Sequence, residues 1–476
     1  MSIYTSILRS KFKYDRYMKK IAFLILTLTL YFPAHVSAAT NYYVSPSGSD
    51  TAPGTEAQPW KTIQKCINTV TAGDTCILRG GTYPETVNIS KSGTSASPIT
   101  LRSYVSEKPI IDGQNSRATF TMTNASNFVF DGLTLVNSTS FGLYSVGSSN
   151  VVMKNCEVGY PLDGGLVWRN ASNILVDSCN VHHTNWRGLT GEHEAVTFNN
   201  INGYEIKNSQ VHDGKEEGID SKYGTLNGKI HHNRVYGNNG PNIYIDAASN
   251  IEVYANEVSN TTGDKSNVGL AVETNSGNYS VSNISIYNNI LRNGKGGVDF
   301  WVESGAESYA SFNSIKIYNN LIYANSNRGG IRIGAYVNYT SNVQIIDNIF
   351  WKNSSTVDVL GTALVSYNLF DTSPKGTNAI TTSDVKFINE TGFDFHLANT
   401  SPAIDAGTTS STTVDFDGNP RPNGPSYDIG PYEYISSTIP PPTVKQIILD
   451  YLKNSPASDL NHDTKVNAFD FAISSK

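Results

Sequence analysis

Short apolar strands recur along this chain, each followed by an asparagine at a fixed offset. Val253-Tyr254-Ala255-Asn256, Ile286-Tyr287-Asn288-Asn289, Ile317-Tyr318-Asn319-Asn320, Ile345-Ile346-Asp347-Asn348 and Val365-Ser366-Tyr367-Asn368 share this phrase, and Ile230-His231-His232-Asn233 joins them. Earlier copies put Ser209, Cys179 and Cys156 in the asparagine position. Successive copies lie 20 to 33 residues apart. A fixed local pattern on a variable period marks a solenoid, in which each coil buries its neighbour's face. Asparagines stacked in such a coil can hydrogen-bond along the stack and satisfy turn backbone groups, so the column is read as structural.

A second strand can be aligned from coil to coil: Leu166-Val167-Trp168-Arg169, Val196-Thr197-Phe198-Asn199, Ile219-Asp220-Ser221-Lys222, Ile243-Tyr244-Ile245-Asp246, Leu270-Ala271-Val272-Glu273, Val298-Asp299-Phe300-Trp301 and Ile331-Arg332-Ile333-Gly334. First and third positions are nearly all apolar and face inward; second and fourth are mixed and face outward. An antiparallel sandwich would want turns every ~8 to 12 residues, and the period here is longer. This alignment stacks Asn199, Lys222, Asp246, Glu273 and Trp301 in one outward column. Thr197, Asp220, Tyr244, Ala271, Asp299 and Arg332 form the next, with Glu194 and Glu217 just before them and His193 and Glu216 alongside.

Composition narrows the picture. Asn, Ser, Thr, Gly and Tyr dominate, which disfavours long helices, and only 16% of residues are charged. The run Lys215 to Lys222, with five charged side chains, therefore stands out. Net charge is -6 with no basic block after the first segment, so nucleic-acid binding lacks electrostatic support. Lys19 and Lys20 precede an apolar run from Ile21 to Phe32 and the small residues Val36-Ser37-Ala38, the pattern of an export signal at 1–38; the run is too short to span a bilayer. In an exported chain the four cysteines can form disulfides. Cys66 and Cys76 are the favoured pair; Cys156 and Cys179, on consecutive coils, are either bonded or stacked free thiols.

The opening of the mature chain carries a resemblance. Tyr42-Tyr43-Val44-Ser45-Pro46, Pro59-Trp60-Lys61-Thr62-Ile63, a short amphipathic helix from Trp60 to Val70, Gly80-Gly81-Thr82-Tyr83 and Pro109-Ile110-Ile111-Asp112-Gly113 resemble the entry cap of secreted right-handed parallel β-helix proteins, many of them polysaccharide lyases or glycoside hydrolases. The expected architecture is all-β: a right-handed parallel β-helix with an N-terminal cap helix and a small helical calcium-loop tail. Cap and first coils are placed at 39–113, the β-helix at 114–371, and a C-terminal cap at 372–435. A proline-rich linker follows at 436–443, then a short segment at 444–476. That segment resembles one dockerin repeat. Asp459, Asn461, Asp463, Asn467 and Asp470 supply oxygens at the loop positions of a calcium site, although Thr464 stands where the turn usually takes glycine. The resemblance implies docking to a cohesin-like scaffold; dockerins carry two such loops and one is present.

The outward columns suit a groove for a chain-like sugar, with aromatic rings to stack on and ions to fix acid groups or move protons. Like charges one rung apart repel by about 3 to 4 kcal/mol, so a counter-cation or a shared proton is expected. In the lyase reading, Glu194, Glu216, Glu217 and Asp220 hold calcium against a uronate carboxylate and Lys222 takes the C5 proton. The run Glu216-Glu217-Gly218-Ile219-Asp220 resembles the acidic cluster of calcium-dependent pectate-lyase-type β-helices. In the hydrolase reading, Asp246 and Glu273 are the carboxylate pair of a retaining enzyme, spaced near its roughly 5 to 5.5 Å. In both, Tyr244, Asp299, Trp301 and Arg332 bind substrate. A third reading is a β-helix that binds carbohydrate without catalysis. Surface carboxylates that merely keep the solenoid soluble are the bland alternative. Adjacent histidines, His182-His183 and His231-His232, are expected to point to opposite faces and hold no shared zinc. The protein is expected to act as a secreted monomer.

Overall fold

The computed structural model describes residues 39–188, 193–277, 279–334, 340–359, 363–409 and 412–435. The expected leader at 1–38, the linker at 436–443 and the calcium-loop residues Asp459, Asn461, Asp463, Asn467 and Asp470 lie outside them. No helix among the described residues is long and apolar enough to cross a membrane.

Each complete coil gives one strand to each of three parallel sheets, which hold 13, 13 and 11 strands among the described residues. The first sheet runs from Asn41–Val44 to Ala363–Ser366, the second from Gly81–Tyr83 to Ile380–Thr381, and the third from Val87–Ile89 to Val357–Val359. Like stacks on like: Ile251, Ile284, Ile315 and Val343 are successive partners, all buried. The alternation read from sequence thus becomes a continuous apolar interior, and the chain is a parallel β-helix. On the outer face of the first sheet, the rings of Tyr254, Tyr287 and Tyr318 stack with centroids 5.0 Å apart, the rung spacing.

The asparagine column is a hydrogen-bonded ladder. Asn233 Nδ2 donates to Asn256 Oδ1 at 3.0 Å, and the pattern continues from Asn256 to Asn289, Asn289 to Asn320, Asn320 to Asn348 and Asn348 to Asn368. Each Oδ1 also accepts a backbone N–H from the preceding coil, as Asn289 does from Asn256. The residue before each ladder member turns the corner in left-handed backbone, φ 51° at Asn288 and 52° at Asn319. This division of labour explains the Asn-Asn pairs: the first tolerates positive φ, the second points inside. A second interior ladder, Asn238, Asn242, Asn267, Asn325 and Asn353, lines the corner before the third sheet.

A seven-residue helix, Ile63–Thr69, packs on the first strands. Thr62 caps it by accepting from the Lys65 N–H, and Ile63, Cys66 and Ile67 are buried. Cys66 is disulfide-bonded to Cys76, whereas Cys156 and Cys179 are buried free thiols. Past the last strands the chain folds back over the outer face of the second sheet. Val385, Phe395, Leu397, Ala403, Ile429 and Tyr432 bury Leu321, Ile349, Trp351 and Leu369 there. The fully buried pair Arg421–Glu433, 2.6 Å apart, fixes this segment, with Arg421 also donating to the carbonyls of Asp428 and Gly430.

Candidate functional site

The third sheet carries the charged columns. Its pairings place Asn199 beside Lys222, Lys222 beside Asp246, Asp246 beside Ala271 and Ala271 beside Trp301. The adjacent column reads Thr197, Asp220, Tyr244, Gly269, Asp299 and Arg332. The strand Val268–Val272 therefore sits two residues away from the register expected from its apolar pattern. Ala271 takes the place expected for Glu273, and Gly269 the place expected for Ala271. A two-residue slip keeps every side chain on its face, so alternation alone does not reveal it.

Lys222 is the centre of the site. Its side chain is 6% exposed, ion-paired to Glu194 and 2.9 Å from Asp220 Oδ2. Glu194 is buried and held by the Thr197 hydroxyl at 2.7 Å, and Asp220 and Asp246 are fully buried. The groove expected to be open here is closed around these groups. Beyond the Lys222 ammonium at Asp220 Oδ2, neither Asp220 nor Asp246 Oδ2 has a donor among the described residues. Burial and then the neighbouring carboxylates raise the carboxyl pKa values: Asp220 well above its ordinary range, Glu217 to about 8 through Glu194 and Glu216, and Glu216 to about 7 through Glu194. Asp246 rises to about 7 through burial and Glu273. Burial pulls the Lys222 pKa down, but Asp220 and Glu194 outweigh it and hold the amine well above an ordinary lysine. One ammonium thus faces more carboxylates than it can neutralise.

Glu273 lies past the end of its strand and accepts the Tyr244 hydroxyl at 2.7 Å. Its backbone N–H binds Ser276 Oγ, which donates to Asp246 Oδ1 at 2.7 Å. Asp246 and Glu273 are thus linked through Ser276 and not stacked as rung neighbours, and the rung spacing that suggested a retaining pair does not apply to them.

Three rungs on, a cleft of about 200 Å³ opens on the same face, lined by Pro241, Lys265, Ser266, Gly269, Asp299, Trp301, Arg328 and Arg332. Arg332 grips Asp299 with two bonds of 2.8 Å, and Arg328 reaches it at 2.6 Å. Asp299 is therefore a clamp for arginines, and Trp301 is a half-buried wall ring. A Cβ on Gly269 would lie 2.8 Å from Tyr244 Cδ2, so only glycine leaves room for that ring beside the cleft. Lys265 and Arg328 were not among the candidates from sequence. Both sit in turns just before strands, where an alignment of strands does not look.

The histidine pairs also differ from expectation. His183 and His232 occupy left-handed corners, φ 51° and 54°, which turn each ring back onto its neighbour. The Nδ1 atoms of His182 and His183 are 2.9 Å apart, and those of His231 and His232 2.7 Å. Burial lowers the pKa of His182, His231 and His232. Among the described residues no three acidic, histidine or cysteine side chains form a ready metal cage.

Comparison with known proteins agrees with this architecture. Residues 42–239 match the family model "Pel9A-like, right handed beta helix region". The matched stretch contains Glu194, Glu216, Glu217, Asp220 and Lys222; every residue lining the cleft lies beyond it. The chain is 31% identical over 217 residues to pectate lyase PEL9 of Emericella nidulans, covering 40% of this chain and 51% of that one, so it spans about half that relative's length. It is 27% identical over 396 residues to a Bacillus subtilis protein, YwoF, covering 75% of this chain and 78% of that protein. Among solved structures, pectate lyase Pel9A superposes with a TM-score of 0.52 at 15% identity, over 84% of this chain and 98% of that one. The complex of XylC with xylose gives 0.50 at 11%, over 83% and 98%. At these identities the structural likeness establishes the fold: a right-handed parallel β-helix like that of pectate lyase Pel9A.

Proposed function

We propose that this protein is a secreted lyase of an acidic, uronate-containing polysaccharide, with Lys222 as the base. The observation that carries the reading is a lysine buried among Glu194, Asp220, Glu217 and Asp246 on the outer face of the third sheet. The two adjoining coils carry Thr197 and Asn199 on one side and Tyr244 and Asp246 on the other at the same positions, so the stack itself does not call for a lysine. Burying this many like charges destabilises the chain, which points to use. In elimination the Lys222 amine takes the C5 proton, the C5–H electrons form the C4–C5 double bond, and the C4–O bond breaks, its oxygen leaving with a proton from solvent.

The base must be neutral when it acts, and Asp220 and Glu194 oppose that. The donors fit calcium: all are carboxylate oxygens, and Asp220 Oδ1 and Asp246 Oδ2 have no hydrogen-bond donor among the described residues. Glu194, Glu216, Glu217 and Asp220 would hold the ion, and bound calcium would supply positive charge that attracts the uronate carboxylate and favours the neutral amine. The stretch of likeness to a pectate lyase supports the same reaction class.

Incubation with a panel of polyuronates tests the proposal. Ultraviolet-absorbing unsaturated ends, lost in Lys222→Ala, are the expected result. New reducing ends without that absorbance would instead favour hydrolysis, and binding with neither product would favour the non-catalytic reading.

A further inference from the structure

We infer that the cleft between Trp301 and Arg328 is a second, remote subsite that selects an unesterified uronate ring by its carboxylate; this rests on the proposed uronate substrate. The cleft has both halves of such a site. Trp301 offers a ring face on which a pyranose can stack, in line with the Tyr244 ring 6.3 Å away and inclined by 18°. Lys265 Nζ rests 5.1 Å from the Trp301 ring centre, where a carboxylate on a stacked sugar would meet it.

Arg328 supplies the fork. Its NH1 is committed to Asp299 at 2.6 Å and its NH2 reaches Asp264 only at 3.4 Å, on the exposed rim. Its Nε is buried and has no acceptor among the described residues. Arg332 spends two donors on Asp299, so that carboxylate, 5% exposed, is saturated by two arginines. Asp299 thus fixes two guanidinium groups that line the cleft, and neither has all of its N–H donors taken up by Asp299. A planar carboxylate suits a guanidinium fork and a neighbouring ammonium better than a hydroxyl or a methyl ester does.

Distance gives the site its role. Lys222 and Trp301 occupy one column three rungs apart, about 14 Å at ~4.8 Å per rung. One sugar cannot touch both, so the cleft reads a ring several units from the bond acted on. It would favour long acidic stretches over esterified ones.

The test is calorimetric binding of a long oligouronate and its methyl ester to the full chain carrying Lys222→Gln, with unsaturated product measured in parallel on the wild type. Expected is tighter binding of the acid form. Lys265→Gln and Arg328→Gln should each cut that preference at least about tenfold, the loss of one charge-assisted hydrogen bond. Trp301→Ala should weaken both forms alike. Thermal melting confirms folding, and Lys265→Gln, which breaks no ion pair with Asp299, guards against a structural cause. Equal binding of acid and ester, or a preference unchanged in both folded variants, overturns the inference even where the wild type makes product. Discriminating binding without product upholds the cleft and removes the lyase reading instead.

Discussion

Lys222 Nζ lies 2.9 Å from Asp220 Oδ2, two residues away on one strand, and neither side chain is more than 6% exposed. On an ordinary outward face both would be solvated and the pair would add little. Here the ammonium is the only cation in ion-pair contact with Asp220 and Glu194 among the described residues, so removing it leaves buried negative charge. Lys222→Met should cost about 3 to 5 kcal/mol in denaturant unfolding. Adding Asp220→Asn should recover part of that loss, a non-additivity that a double-mutant cycle reads directly. Additive costs would mean the pair is not coupled.

The raised carboxyls make stability depend on pH in a defined direction. Glu217 moves from an ordinary 4.5 to about 8 on folding, and Glu216 to about 7. Between those values the folded state holds protons that the unfolded state has released. Their contribution to stability is full at pH 4.5 and below and is lost as pH rises to about 8. His396, raised to about 9 by Asp417 and Asp394 against its burial, adds a fall in the same sense between about 6.5 and 9. The diagnostic is therefore the difference: urea unfolding of Glu217→Gln should show a shallower loss than wild type over the lower part of that range. Equal slopes would remove Glu217 from the account.

The interior ladder should be far less tolerant than the exterior one. Asn289 accepts from Asn256 N–H and Nδ2 and donates to Val253 O and Asn320 Oδ1. Asn289→Ala orphans these buried groups and should cost at least about 3 kcal/mol. Asn283 lies in an exposed ladder at φ 55°, donating to Asn250. Asn283→Gly keeps the backbone conformation and should stay within about 0.5 kcal/mol.

Thiol counting separates the cysteines. Without reductant, the native chain should resist alkylation, because Cys156 and Cys179 are buried and burial raises the Cys156 pKa. Denaturation should expose two reactive thiols, and reduction should expose four. Four thiols without reductant would exclude the Cys66–Cys76 bond.

The solenoid, its asparagine column and the outward face of Asp220 and Lys222 follow from the sequence alone. Those features are local: a period of two and an asparagine at a fixed offset repeat within each coil, and a stack must place like on like. Three things needed the tertiary structure. The register of Val268–Val272 was one, since Val268, Leu270 and Val272 are all apolar and two alignments satisfy the same alternation. Burial of the Lys222 cluster was another, because Glu194, Glu217 and Tyr223, brought in from turns and a strand end, close around it. The cleft was the third. Lys265 and Arg328 come from turns of variable length, whose positions are set by how coils stack and not by any pattern along the chain.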